Sequence, residues 1–167
     1  MKIRNAAIGD EESLLGLFTS LDEETDFMLF EPGERDTTVS EQADFLRNSS
    51  KVNNILLLVT EYDGEIIGFL GATGNKNNRN RHVLSFVTGV RKHYWGLGMG
   101  SALLKNLEVW AITNQYYRIE MTVRESNIRA INLYKSLGFI IEGVRHHSLK
   151  VDSEYVNELY MGKLIKV

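Results

Sequence analysis

The stretch from His82 to Ile112 constrains this chain more than any other. It opens on HVLSFVTGV, an apolar run rich in β-branched residues that reads as a strand. It passes through WGLGMG, where Gly96, Gly98 and Gly100 alternate with bulky residues, and continues as SALLKNLEVWAI. In that last segment Leu103, Leu107 and Trp110 fall on one helical stripe. A strand that hands over directly to an amphipathic helix needs a sheet for the helix to cover, so the chain is expected to be α/β.

The remaining runs fit that plan. KIRNA is a short strand, and GDEESLLGLFTSL a helix with Asp10 at its cap and Leu14, Leu17, Phe18 and Leu21 at helical spacing. A second helix opens at TVSEQADFLRN, where Thr38 and Glu41 have capping-box spacing. NILLLVTEY and EIIGFLGATG form a hairpin through Asp63-Gly64. After the helix comes YYRIEMTV as a strand. Asn127 then caps the helix NIRAINLYKSLGF, and Gly138 ends it. FIIEGVRHHSL and YVNELYMGKLI close the chain as two strands linked through KVDSE. The expected order is β-α-α-β-β-β-α-β-α-β-β, without repeats, in a single domain spanning 1–167.

Composition removes several classes of function. With no cysteine there is no disulfide, thiolate metal site or acyl-cysteine intermediate. His82, His93, His146 and His147 lack zinc-site spacing, so no metal is expected. No run of eighteen apolar residues exists to span a membrane, and the N-terminus lacks a signal-peptide core, so the expected location is cytoplasmic. A net charge of −3 gives no reason to expect nucleic acid. Between Asp22 and Asp36, however, seven acids face one base, Arg35. The run reads either as a solvated loop or as an electrostatic lure for a cationic substrate.

A strand, a glycine turn and a helix together make an anion site, because the first-turn amides lack partners and the helix dipole is positive there. A P-loop is excluded, since no Lys-Ser or Lys-Thr follows the glycines. A nicotinamide-dependent oxidoreductase stays in play: Gly96-x-Gly98 starts the dinucleotide fingerprint and Glu120 lies near its acidic position, yet Ser101 stands where a glycine or alanine belongs.

Further on, Asn127, Ala130, Leu133, Tyr134, Gly138 and Phe139 spell N-x-x-A-x-x-L-Y-x-x-x-G-F. With V-x-x-x-x-W-G-x-G-x-G upstream, the chain closely resembles the GNAT superfamily of N-acetyltransferases. The closing strands are similar to the bacterial branch that acetylates ribosomal-protein alanine N-termini and small amines. The resemblance implies a mixed, mostly antiparallel seven-stranded sheet flanked by about four helices and splayed, at a bulge, at the strand ending near Val90. It implies acetyl-CoA as co-substrate. Backbone groups of Thr88, Gly89 and Val90 would pair with the pantetheine arm. The turn amides of Gly96, Leu97, Gly98, Met99, Gly100 and Ser101 would hold the pyrophosphate, with Arg91, Lys92 and His93 nearby. Trp95 departs from the Arg or Gln common at its position, leaving more of the binding to backbone amides.

The resemblance also distributes the chemistry. Val90 N–H would meet the developing oxyanion, and Tyr134 would protonate the departing thiolate; by pattern alone Tyr134 belongs to a packed stripe with Ala130, Leu133 and Leu137. Asn127 reads both as a helix cap and as a cofactor contact. HVLSFVTGV carries no carboxylate, so Glu120 and Glu31 are the candidate bases. The acceptor, a small cationic amine, polyamine or protein N-terminus, is expected against the loop from Thr25 to Asp36, with Met28, Glu31 and Arg35 as contacts, and against the terminal hairpin. Attack would be direct, in a ternary complex. A non-catalytic acyl-CoA-binding or sensing module is the rival reading, and relatives suggest a homodimer.

Overall fold

The computed structural model describes residues 2–165. In chain order these form β1 (Lys2–Asn5), α1 (Glu11–Glu24), α2 (Val39–Ser49), β2 (Ile55–Tyr62), β3 (Glu65–Gly74), β4 (Val83–Val90), α3 (Met99–Thr113), β5 (Arg118–Arg124), α4 (Ile128–Ser136), β6 (Ile140–Val151) and β7 (Glu154–Leu164), with a short 3-10 turn at Lys92–Tyr94. The order of strands and helices is the expected one. The strands hydrogen-bond as one seven-stranded sheet in the order β1-β2-β3-β4-β5-β7-β6. The chain divides into two compact units, Met1–Thr73 with Val87–Leu107 and Gly74–Phe86 with Glu108–Val167.

In the first unit, α1 buries the stripe Leu14, Leu17 and Leu21. Leu14 packs with Leu46 of α2 and Val59 of β2, while Leu17 and Leu21 pack with Phe69 of β3. The capping box of α2 forms as expected: Thr38 Oγ1 accepts from Glu41 N, and Glu41 Oε2 accepts from Thr38 N at 2.8 Å. Asp10 occupies the cap position of α1 but makes no side-chain cap bond. Its carboxylate instead accepts from Arg4 at 2.6 and 2.9 Å and from Ala7 N, tying β1 to the start of α1. The charged donor outcompetes the helix amides because a charge-assisted, bidentate bond is stronger. The β2–β3 turn places Asp63 and Gly64 at φ 50 and 84, the mirror-image turn that matches strand twist.

In the second unit, every residue of β5 pairs antiparallel with β7, from Arg118↔Leu164 to Arg124↔Glu158. Ile119, Met121 and Val123 of β5 lie on one buried face. Phe86, Tyr134 and Phe139 form a triangle of rings with centroids 5.8 to 5.9 Å apart. The turn is tighter than KVDSE suggests: β6 runs on to Val151 and β7 starts at Glu154, so that Asp152 and Ser153 alone make the turn, both at positive φ. The β4–β5 ladder is parallel and holds three pairs, ending at Ser85↔Glu120. This early end is the expected splay: β4 runs on to Val90 with no further ladder partner in β5 among the described residues.

Candidate functional site

Register decides which backbone groups β4 offers. Arg91 N donates to Ile67 O at 2.9 Å at one end of the β3–β4 pair, and Asn75 N to Val83 O at 3.1 Å at the other. Bonded pairs recur every second residue. Gly89 therefore turns its N–H and C=O toward β3, whereas Thr88 and Val90 turn theirs to the side away from β3. The expected triplet Thr88, Gly89 and Val90 thus reduces, as a polar edge, to Thr88 and Val90. What Gly89 provides is room: a Cβ there would lie 2.8 Å from Leu21 Cδ1 and 3.1 Å from Phe69 Cε1.

The glycine turn follows. Gly96 and Gly98 take φ 84 and 80, open to glycine and strained for other residues. Gly98 O accepts from Ala102 N at 3.0 Å, so α3 begins at Met99, two residues before the expected helical segment SALLKNLEVWAI. The amides of Met99, Gly100 and Ser101 form the first turn and have no acceptor inside the helix. Met99 anchors that turn with a buried side chain, while Leu97 is exposed. Trp95 Nε1 donates to Val90 O at 2.6 Å, which braces the turn against the end of β4 and leaves the Val90 N–H as that residue's outward donor. Arg91 ion-pairs with Glu24 at 2.9 Å, and Glu24 also accepts from Lys92 N. The nearby positive charge is accordingly smaller than the sequence implies.

The acidic loop is partly neutralised from within. Asp22, almost fully buried, receives Arg35 through two bonds of 2.8 and 3.1 Å, and the guanidinium stacks over Phe30 at 4.4 Å and Phe18 at 5.0 Å. Arg35, expected at the acceptor, is a clamp between α1 and its following loop. Met28 packs beside Leu17, Leu21 and Phe69, with its sulfur 3.5 Å from the Cβ position of Gly89. Glu31 is exposed, and its amide donates to Glu34 at 2.9 Å. A cavity of about 380 Å³ opens in this unit among Phe18, Gln42, Phe45, Phe69 and Val87. It includes neither Thr88 nor Val90, and its largely apolar lining does not suit a cation.

In the second unit Tyr134 is buried within the aromatic triangle, and loss of water pushes its pKa up to about 12. Asn127 Oδ1 accepts from Ala130 N at 3.2 Å, which makes it the α4 cap. Glu120 is bound by Arg118 at 2.7 Å, and Arg118 also pairs with Glu142, which holds the Glu142 carboxyl below its usual range. Glu120 is thus one half of an ion pair between two residues that share a face of β5.

The profile of the acetyltransferase (GNAT) family matches residues 18–139. The chain is 33% identical over 108 residues to the L-amino acid N-acetyltransferase AaaT of Escherichia coli (strain K12), covering 64% of this chain and 67% of that protein. It is 34% identical over 87 residues to the probable spermine N(1)-acetyltransferase of Bacillus subtilis subsp. natto (strain BEST195), covering 49% of this chain and 57% of that protein. These matches therefore span somewhat over half to two thirds of the relatives' lengths. The crystal structure of a GNAT-family acetyltransferase from Streptococcus pneumoniae superposes with a TM-score of 0.94 at 30% identity, covering 98% of this chain and 99% of the other. The matched segment takes in both the glycine turn into α3 and the Asn127–Phe139 motif, and the chain thus belongs to the acetyltransferase (GNAT) family of acyltransferase enzymes.

Proposed function

We propose that the chain works as one acetyltransferase domain that moves an acetyl group from acetyl-CoA to a primary amine by direct attack in a ternary complex. The observation that carries this reading is the polar edge of Thr88 and Val90, turned away from β3 where the β5 ladder has ended. An amide-bearing pantetheine arm pairs with such an edge as an added strand would. The turn at Gly96 and Gly98 and the first-turn amides of Met99, Gly100 and Ser101 suit the pyrophosphate. The Val90 N–H is the donor for the oxyanion, since its carbonyl already serves Trp95. Tyr134 acts as the proton donor to the thiolate and Asn127 supports the cofactor from the head of α4. The acceptor is a small cationic amine, polyamines included, ahead of a protein N-terminus. The exposed acids Glu23, Glu31, Glu34 and Asp36 support that preference even after Arg35 has neutralised Asp22.

A thiol-release assay with acetyl-CoA and a panel of spermidine, small monoamines, amino acids and N-terminal peptides tests the proposal. Turnover with an amine from the cationic group is expected. Acetyl-CoA binding in calorimetry without turnover on any acceptor would instead mark a sensing module, and NADH binding without acetyl-CoA binding an oxidoreductase.

A further inference from the structure

We infer that Glu158, on β7, is the anionic anchor for the acceptor's ammonium group, with Arg145 as the resident cation that the acceptor displaces. The inference rests on the amine-acetylation reading above and deepens it. Glu158 is 8% exposed, and Asp22 is the one carboxylate more deeply buried among the described residues. Asp22 already has a two-bond partner in Arg35, and Glu120 is held by Arg118 at 2.7 Å. Glu158 is held differently. Thr122 Oγ1, a neutral donor, reaches its Oε1 at 2.9 Å. Arg145 reaches its Oε2 at 3.3 Å, through a single bond from a side chain that is half exposed. A carboxylate accepts about four hydrogen bonds, and these two leave capacity for an incoming ammonium.

Position supports the same role. Thr122 lies two residues beyond Glu120, the last residue of β5 that β4 pairs with, so the hydroxyl holds the Glu158 carboxylate beside the stretch of β5 that its parallel neighbour has left. The charged and titratable groups around it are Arg124, its register partner on β5, Arg145 opposite on β6, and Tyr160 two residues along β7 on the same face. Arg145 sits where the β6–β7 register slips, between Arg145 and Leu149, which frees its side chain from a regular cross-strand row. A buried carboxylate whose cation is long-bonded and half solvated can exchange that partner for a substrate cation, because the charge stays paired throughout.

The test compares wild type, Glu158→Gln and Arg145→Ala for acetylation of spermidine and of monoamines, with acetyl-CoA affinity and thermal stability measured alongside. Glu158→Gln should raise the KM for cationic amines about tenfold or more, with kcat at saturating amine and the Kd of acetyl-CoA changed little, since tenfold corresponds to one lost charge pair. Arg145→Ala should shift KM the other way and lower it, an opposite sign that loss of a merely structural contact would not produce. An unchanged amine KM in Glu158→Gln, or a raised one in Arg145→Ala, overturns the assignment. If wild type itself turns over no amine, the parent reading fails first and takes this assignment with it.

Discussion

Tyr134 sits between Phe86 and Phe139 of its own unit, and that apolar setting rather than any charge lifts its pKa to about 12. Sequence gave two readings of this residue, a packed ring and a proton donor, and burial makes them compatible. At neutral pH the hydroxyl keeps its proton and remains a donor. The stability consequence has a definite sign. A phenol whose folded pKa lies above its unfolded value of about 10 contributes fully below pH 10, and the contribution is lost as pH rises toward 12. Wild type should therefore lose about 1 kcal/mol more than Tyr134→Phe between pH 8 and pH 11 in urea unfolding. Parallel losses in the two proteins would show that the hydroxyl is not desolvated. Arg35 teaches the opposite lesson. Its charge suggested a substrate contact, yet Asp22 and two phenylalanine rings hold it, and no local pattern announces a partner thirteen residues away.

The glycine turn behaves at the scale of elements much as its sequence suggests. Gly96 and Gly98 occupy the left-handed region, and the first-turn amides that follow come from residues the motif names. A Cβ at Gly98 would meet nothing within 4 Å, so the requirement there is conformational. Gly98→Ala should cost about 1–2 kcal/mol in stability, from the left-handed backbone alone, and should weaken acetyl-CoA binding in calorimetry. An unchanged acetyl-CoA affinity would remove the turn from the cofactor site. β4 was less legible. Its strand character was plain, but the edge that Thr88 and Val90 present depends on its register with β3, which no composition of β4 encodes.

At the scale of the whole molecule, the family match runs through segments of both compact units, and the described residues contain no helix long and apolar enough to cross a membrane. If acetyl-CoA is the co-substrate, it binds the folded chain and not the unfolded one. At about one hundred times its Kd it should then raise stability by about 2.7 kcal/mol, read as an upward shift of the unfolding midpoint in scanning calorimetry. NADH at the same concentration should give no shift. Midpoints that move equally with both ligands, or with neither, would contradict the assignment of the anion site.

The sequence by itself determined the order of strands and helices, the turns at Asp63-Gly64 and at the head of α3, the caps at Thr38 and Asn127, and the family. Each of these depends on residues within a few positions of one another, through backbone conformation or short-range hydrogen bonds. Tertiary structure decided what long-range pairing controls: the early end of the β4–β5 ladder, the direction in which Thr88 and Val90 turn their amides, and the partners of Arg35, Glu120 and Glu158. Glu158 carries no motif. It stands out only once β5 and β6 lie on either side of it, because burial and cross-strand neighbours come from the sheet and not from the order of residues along β7.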